Sequence, residues 1–113
     1  MIHGAREQAR LKYIRQSIAL IEQYTRGDRE AFLNEAIIQD AVLRRLETLA
    51  DAIKGLSDNL KARHPEIPWR QVYGFRNVAA HAYEEIDLSR VWEIVANYVP
   101  ALKLLVDQEL GKD

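Results

Sequence analysis

The sequence predicts an all-α fold: an antiparallel bundle of four main helices with short additional helices. Three observations lead there. Apolar residues recur every three or four positions through the long stretches, which puts them on one face of a helix. No stretch alternates apolar and polar residues with the period of two that a half-buried strand requires. Glycines, prolines and capping residues fall between the stretches, so short turns join antiparallel neighbours. Residues 1–113 read as a single domain, long enough for one core and too short for two.

The first stretch carries Leu11, Ile14, Ile18 and Ile21 at helical spacing, with Arg6, Glu7, Lys12, Arg15 and Glu22 mostly on other faces. It predicts a helix from Ala5 to Thr25, stopped by Gly27. Asp28 is placed to cap a short helical piece holding Ala31, Phe32 and Leu33, and Asn34 to cap the next helix. In that next helix Val42, Leu46, Leu49, Ile53, Leu56 and Leu60 step by three or four. Gly55 interrupts the run, but one interior glycine costs only ~1 kcal/mol, so packing is expected to carry the helix through it.

Pro65 and Pro68 then break the pattern, with Pro68 able to open a short turn as its first residue. Trp69, Val72, Tyr73 and Phe75 form an aromatic hinge expected to dock on the core, and Gly74 lets the backbone bend. Asp87 is the expected cap of the last helix, where Leu88, Val91, Trp92, Val95, Val99 and Leu102 keep helical spacing. Pro100 removes a backbone donor there and predicts a kink or brief break. Trp69 and Trp92 read as packing residues rather than base-stacking ones.

Bulk properties narrow the class. Apolar residues make up 48% and charged residues 29% of the chain, as in ordinary globular proteins. No apolar run approaches the ~18 residues that cross a bilayer, and the first residues lack an export signal, so a cytoplasmic location is expected. With no cysteine, disulfides, thiolate metal sites and cysteine catalysis are excluded. Sixteen Lys and Arg against seventeen Asp and Glu give a net charge of −1, so nucleic acid must be met by a local basic patch such as Arg70 with Arg76.

The chemistry concentrates in Arg76-Asn77-Val78-Ala79-Ala80-His81-Ala82-Tyr83. With Arg76 at zero on a helical wheel, Tyr83 falls at roughly −20°, Asn77 at about 100° and His81 at about 140°. Cation, amide, imidazole and phenol then share one side, while Val78, Ala79 and Ala82 fill the other. Histidine moves protons near neutral pH, and arginine offers a permanently charged fork for phosphate oxygens. Asn77, four residues before His81, is able to orient the imidazole or bind substrate. Each residue also has a plain structural reading: a hydrogen-bonded helical His, an Arg paired with Glu84 or Glu85, a backbone-satisfying Asn, a core-edge Tyr. His3 and His64 lack such company and read as incidental. The three histidines do not compose a metal site.

The spacing Arg-x4-His-x-Tyr resembles the signature of the HepT-like HEPN proteins, small helical ribonuclease toxins. Tyr24-Thr25-Arg26-Gly27, Gln39-Asp40-Ala41-Val42, Pro65-Glu66-Ile67-Pro68-Trp69-Arg70, Asp87-Leu88, Trp92-Glu93-Ile94 and Val99-Pro100 agree with it, so the resemblance runs over nearly the whole chain. It implies a metal-independent endoribonuclease without cofactors, with Arg76 and His81 catalytic and Asn77, Tyr83 and Asp51 supporting or binding substrate. It also implies a homodimer whose two signatures meet across a two-fold axis to form one cleft.

Relatives occur in type VII-like toxin–antitoxin pairs with a minimal nucleotidyltransferase. That antitoxin transfers AMP to the signature tyrosine, which would make Tyr83 the modified residue here. The match is incomplete. Relatives often carry Ile-Gly-Glu-Ala where this chain reads Leu49-Ala50-Asp51-Ala52, leaving Asp51 to face Arg76 or His81, or to point outward. Glu84 and Glu85 put acid beside the expected RNA cleft. Two alternatives stand beside the nuclease: a non-catalytic helical dimer that binds and regulates a nucleotidyltransferase, and a purely structural bundle.

Overall fold

The computed structural model describes residues 3–85 and 87–111, with the side chains of residues 82–85 outside the described set. The chain is all-α. Helix α1 spans Ala5–Thr25, α2 Arg29–Asn34, α3 Ala36–Lys54, α4 Asp58–Ala62, α5 Trp69–Tyr73, α6 Phe75–Glu85 and α7 Leu88–Glu93. A π-helical turn, Ile94–Tyr98, then leads into α8, Val99–Leu110. The four main elements are α1, α3, α6 and the segmented C-terminal helix. α1 packs on α3 and α8, and α3 carries α6 on another side. Among the described residues no helix is long and apolar enough to cross a membrane.

The apolar stripes meet as expected. Leu11, Ile14, Ile18 and Ile21 of α1 are buried against Val42, Leu46, Leu49 and Ile53 of α3, and Val91, Ile94, Val99, Leu102 and Leu105 close the core. Phe32 on α2 is fully buried and lies 5.6 Å, centroid to centroid, from the Trp92 ring. Trp69 is half-buried and donates from Nε1 to the Lys61 and His64 carbonyls, 3.2 and 3.1 Å away. Both tryptophans are therefore packing residues.

Local signals set most helix ends. The Asp28 carboxylate accepts from the Ala31 N–H at 3.0 Å, and the Asp87 carboxylate from the Arg90 N–H at 3.1 Å. α1 stops through two left-handed residues, Arg26 (φ +50°) and Gly27 (φ +68°), of which only glycine takes that conformation freely.

Two expected boundaries are corrected. Asn34 does not cap α3: it is the last residue of α2, where its side-chain amide donates to the Glu30 carbonyl at 2.7 Å. Glu35 takes the cap position without a side-chain bond. The long helix does not run through Gly55 either. Arg10 of α1 donates from Nη1 to the Gly55 carbonyl at 3.0 Å, and a Cβ at Gly55 would lie 2.6 Å from Arg10 Nε. The guanidinium lies against a residue without a side chain and takes up the carbonyl that ends α3. Ser57 then caps α4 by accepting from the Leu60 N–H at 3.1 Å.

Two smaller expectations shift by one position. Pro68 is the N-cap of α5 rather than its first residue, and Gly74 turns the chain into α6 with helical angles (φ −69°, ψ −14°). The break expected at Pro100 is the π turn just before it. Proline has no N–H to bond the Ala96 carbonyl, and the Val99 N–H bonds instead to the Ile94 carbonyl five residues back.

Candidate functional site

Helix α6 owes its orientation to small and aromatic residues. Phe75 and Ala79 are buried and Val78 is half-buried, so this arc docks on α3. The opposite arc presents Arg76, Asn77 and His81, all exposed. Three of the four polar groups on the helical wheel drawn from the sequence are thus exposed together: a guanidinium, an amide and an imidazole leave one helix toward solvent. Tyr83 follows in the same helix, but its side chain lies outside the described residues.

Behind α6, α3 supplies two acids. Asp51 Oδ1 lies 3.0 Å from Arg76 Nε, and Glu47 Oε1 lies 3.9 Å from Arg76 Nη2. Of the two placements open to Asp51, the one facing Arg76 is realised. Arg76 keeps half of its side chain exposed, at 51%. One cation opposed by two carboxylates leaves this patch locally negative, and a phosphodiester approaching a single copy would gain little from it.

Glu47 is the residue that sequence reasoning missed. Its signal was present, since Glu47 and Asp51 stand four apart and therefore share a face of α3. Tyr98 stabilises the approach to α6: its hydroxyl donates to Gln71 Oε1 at 2.8 Å, and its ring meets Phe75 edge-on at 5.2 Å.

A second polar cluster lies at the end of the bundle where α1 begins and α8 ends. The Glu109 side chain is fully buried. Arg63 Nη2 donates to its Oε1 at 2.7 Å, His64 Nε2 lies 2.5 Å from Oε2, and His3 Nε2 lies 3.1 Å from Oε1. His64 Nδ1 faces Glu66 at 3.2 Å, and His3 Nδ1 faces Glu7 at 3.5 Å.

The hydrogen bond from Arg63 to Glu109 holds the guanidinium above its ordinary value, against the opposing effect of burial. Burial pushes the Glu7 carboxyl up. The Ser57 amide at 2.7 Å, the Ser57 hydroxyl and His3 outweigh it, so the group lies below the ordinary carboxylate value.

His3 and His64 are therefore not incidental. They are structural partners of a buried carboxylate, and the hint was Glu109 falling on the apolar stripe of Leu102, Leu105 and Val106. Among the described residues no group of three His, Asp or Glu side chains is arranged to hold a metal ion.

Comparison with known proteins shows the family. The family described as ribonuclease HepT-like matches residues 14–109. A Methanocaldococcus jannaschii protein, described as a gamma-glutamylcyclotransferase and candidate RNase, is 36% identical over 107 residues, covering 91% of this chain and 48% of that protein. A Thermococcus cleftensis protein described as "Probable ribonuclease HepT" is 39% identical over 94 residues, 82% of this chain and 86% of its own length. A candidate RNase of Caldanaerobacter subterraneus subsp. tengcongensis is 26% identical over 104 residues, 91% and 93% of the two chains. The chain thus spans about half of the first relative and most of the other two. No solved structure matches it.

Proposed function

The chain belongs to the HepT-like ribonuclease family, and from that premise we propose that it is a metal-independent endoribonuclease toxin with Arg76 and His81 as its catalytic residues. The observation that carries this reading is the shared exposed arc of α6: Arg76, Asn77 and His81 open to solvent while Phe75 and Ala79 anchor the opposite side. In the proposed reaction an RNA 2′-hydroxyl attacks the adjacent phosphorus and the bond to the 5′-oxygen breaks. A neutral His81 takes the hydroxyl proton, and a protonated His81 from a second copy returns one to the leaving oxygen. Arg76 stabilises the charge gathering on the phosphate oxygens.

The acids beside Arg76 favour pairing of two chains. Two copies facing each other across a two-fold axis keep the ratio of one guanidinium to two acids, but they bring two guanidinium groups onto one phosphodiester and complete the acid–base pair. Asn77 orients the imidazole or the substrate in this scheme, and Asp51 holds Arg76. Control is assigned to a nucleotidyltransferase antitoxin that attaches AMP to the Tyr83 hydroxyl. The added negative phosphate would occupy the exposed arc where RNA has to bind. The same neutralisation of Arg76 also favours the second reading, a non-catalytic helical dimer that binds and regulates that nucleotidyltransferase.

The test is RNA cleavage by the purified chain in the presence of a chelator. Arg76→Ala and His81→Ala are each expected to lower the rate by about 10²–10⁴-fold with circular dichroism unchanged, because both side chains are exposed. Cleavage unaffected by both substitutions would sink the assignment. Complex formation with the nucleotidyltransferase and no cleavage of any RNA would favour the second reading. Tyr83→Phe is expected to escape inhibition when that partner and ATP are supplied.

A further inference from the structure

Glu47 and Asp51 stand one turn apart on α3, where two like charges at i and i+4 repel each other. Arg76 lies within ion-pairing distance of both, with Nε 3.0 Å from Asp51 Oδ1 and Nη2 3.9 Å from Glu47 Oε1. In a planar guanidinium, Nε and Nη2 form one edge, and the Nη1–Nη2 pair forms the adjacent one. Asp51 therefore engages the Nε–Nη2 edge, and Glu47 approaches the nitrogen that both edges share. Nη1 is the guanidinium nitrogen that neither acid approaches, and 51% of the Arg76 side chain is exposed.

We infer that Glu47 is a positioning residue of the nuclease site: together with Asp51 it fixes the Nε–Nη2 edge of Arg76, so that a phosphodiester is met at Nη1. The inference rests on the nuclease reading given above. Removing the Glu47 charge has two opposite consequences. The guanidinium gains rotational freedom, so it stabilises the transition state less well and kcat falls. One negative charge also leaves the neighbourhood of the RNA phosphates, so KM falls as well. A residue that merely supports the fold would give no such paired decrease.

The experiment compares the full chain with Glu47→Gln in steady-state cleavage of a defined single-stranded RNA oligonucleotide. The isosteric change at a position with 30% side-chain exposure keeps the packing of α3 on α6. The expected result is a kcat reduced by about tenfold with KM reduced by a few-fold, both effects shrinking at high salt. Glu47→Asp, which keeps the charge, is expected to return KM to the wild-type value. As a second readout, the Arg76 Nε–Hε NMR signal, assigned by its absence in Arg76→Lys, is expected to broaden in Glu47→Gln. An active wild type with kcat, KM and this signal unchanged in Glu47→Gln overturns the inference alone. A wild type without cleavage ends the nuclease reading and the inference with it.

Discussion

Replacing Glu109 by alanine is the severest single change the structure predicts outside the apolar core. The carboxylate is fully buried and faces three cationic or protonatable partners: Arg63 at 2.7 Å, His64 at 2.5 Å and His3 at 3.1 Å. His64 retains 8% side-chain exposure and cannot recover its lost partner from water, whereas His3 Nε2 keeps the backbone carbonyl of residue 109 at 3.2 Å. Breaking a buried pair by deleting one member costs about 3–5 kcal/mol. Arg63 keeps 32% of its side chain exposed and can turn partly outward, which favours the lower end, about 3 kcal/mol. A domain of this size is stable by only about 5–15 kcal/mol, so a fifth to more than half of the total disappears. With 113 residues the unfolding entropy is about 0.24 kcal/mol/K, and the melting temperature should fall by roughly 12 °C. Urea titration followed by far-ultraviolet circular dichroism measures the loss as a lower midpoint with an unchanged slope. A loss below about 1 kcal/mol would mean that the cluster behaves like a surface ion pair, and the argument from burial would fail.

Three further outcomes are expected. Ser17 is 1% exposed and its hydroxyl has no hydrogen-bond partner among the described residues, so Ser17→Ala should stabilise the fold by about 1 kcal/mol, read as a higher urea midpoint. The Glu7 carboxyl is depressed in the folded chain. Its contribution is therefore complete above the unfolded value and lost as pH falls through the folded one, so the stability difference between wild type and Glu7→Gln should shrink as pH falls below the ordinary carboxylate value of 4.5; urea midpoints measured down that range check it, and a constant difference would refute it. At Gly55 an added Cβ meets only the flexible end of Arg10. Gly55→Ala should displace that side chain and lose its bond to the carbonyl while gaining helix propensity, for a net change within about 1 kcal/mol by thermal unfolding.

The parts of this protein that could be read from the chain alone are those decided within one or two helical turns. Leu11, Ile14, Ile18 and Ile21 mark the buried face of α1 because the helical period is fixed by backbone geometry. Asp28 and Asp87 cap their helices because a short carboxylate reaches an amide three residues on. The exposed trio Arg76, Asn77 and His81 was legible for the same reason, since their small apolar neighbours identify the docked side. Gly55 was misread because its helix-ending contact comes from Arg10, forty-five positions away.

Composition and periodicity determined the helices, their buried faces and the polar arc of α6. Tertiary structure alone decided that Glu47 and Asp51 both face Arg76, and that Glu109 gathers Arg63, His64 and His3. Those meetings depend on how far one helix slides and rotates against another, and that register is set by the summed packing of the core rather than by any local run of residues.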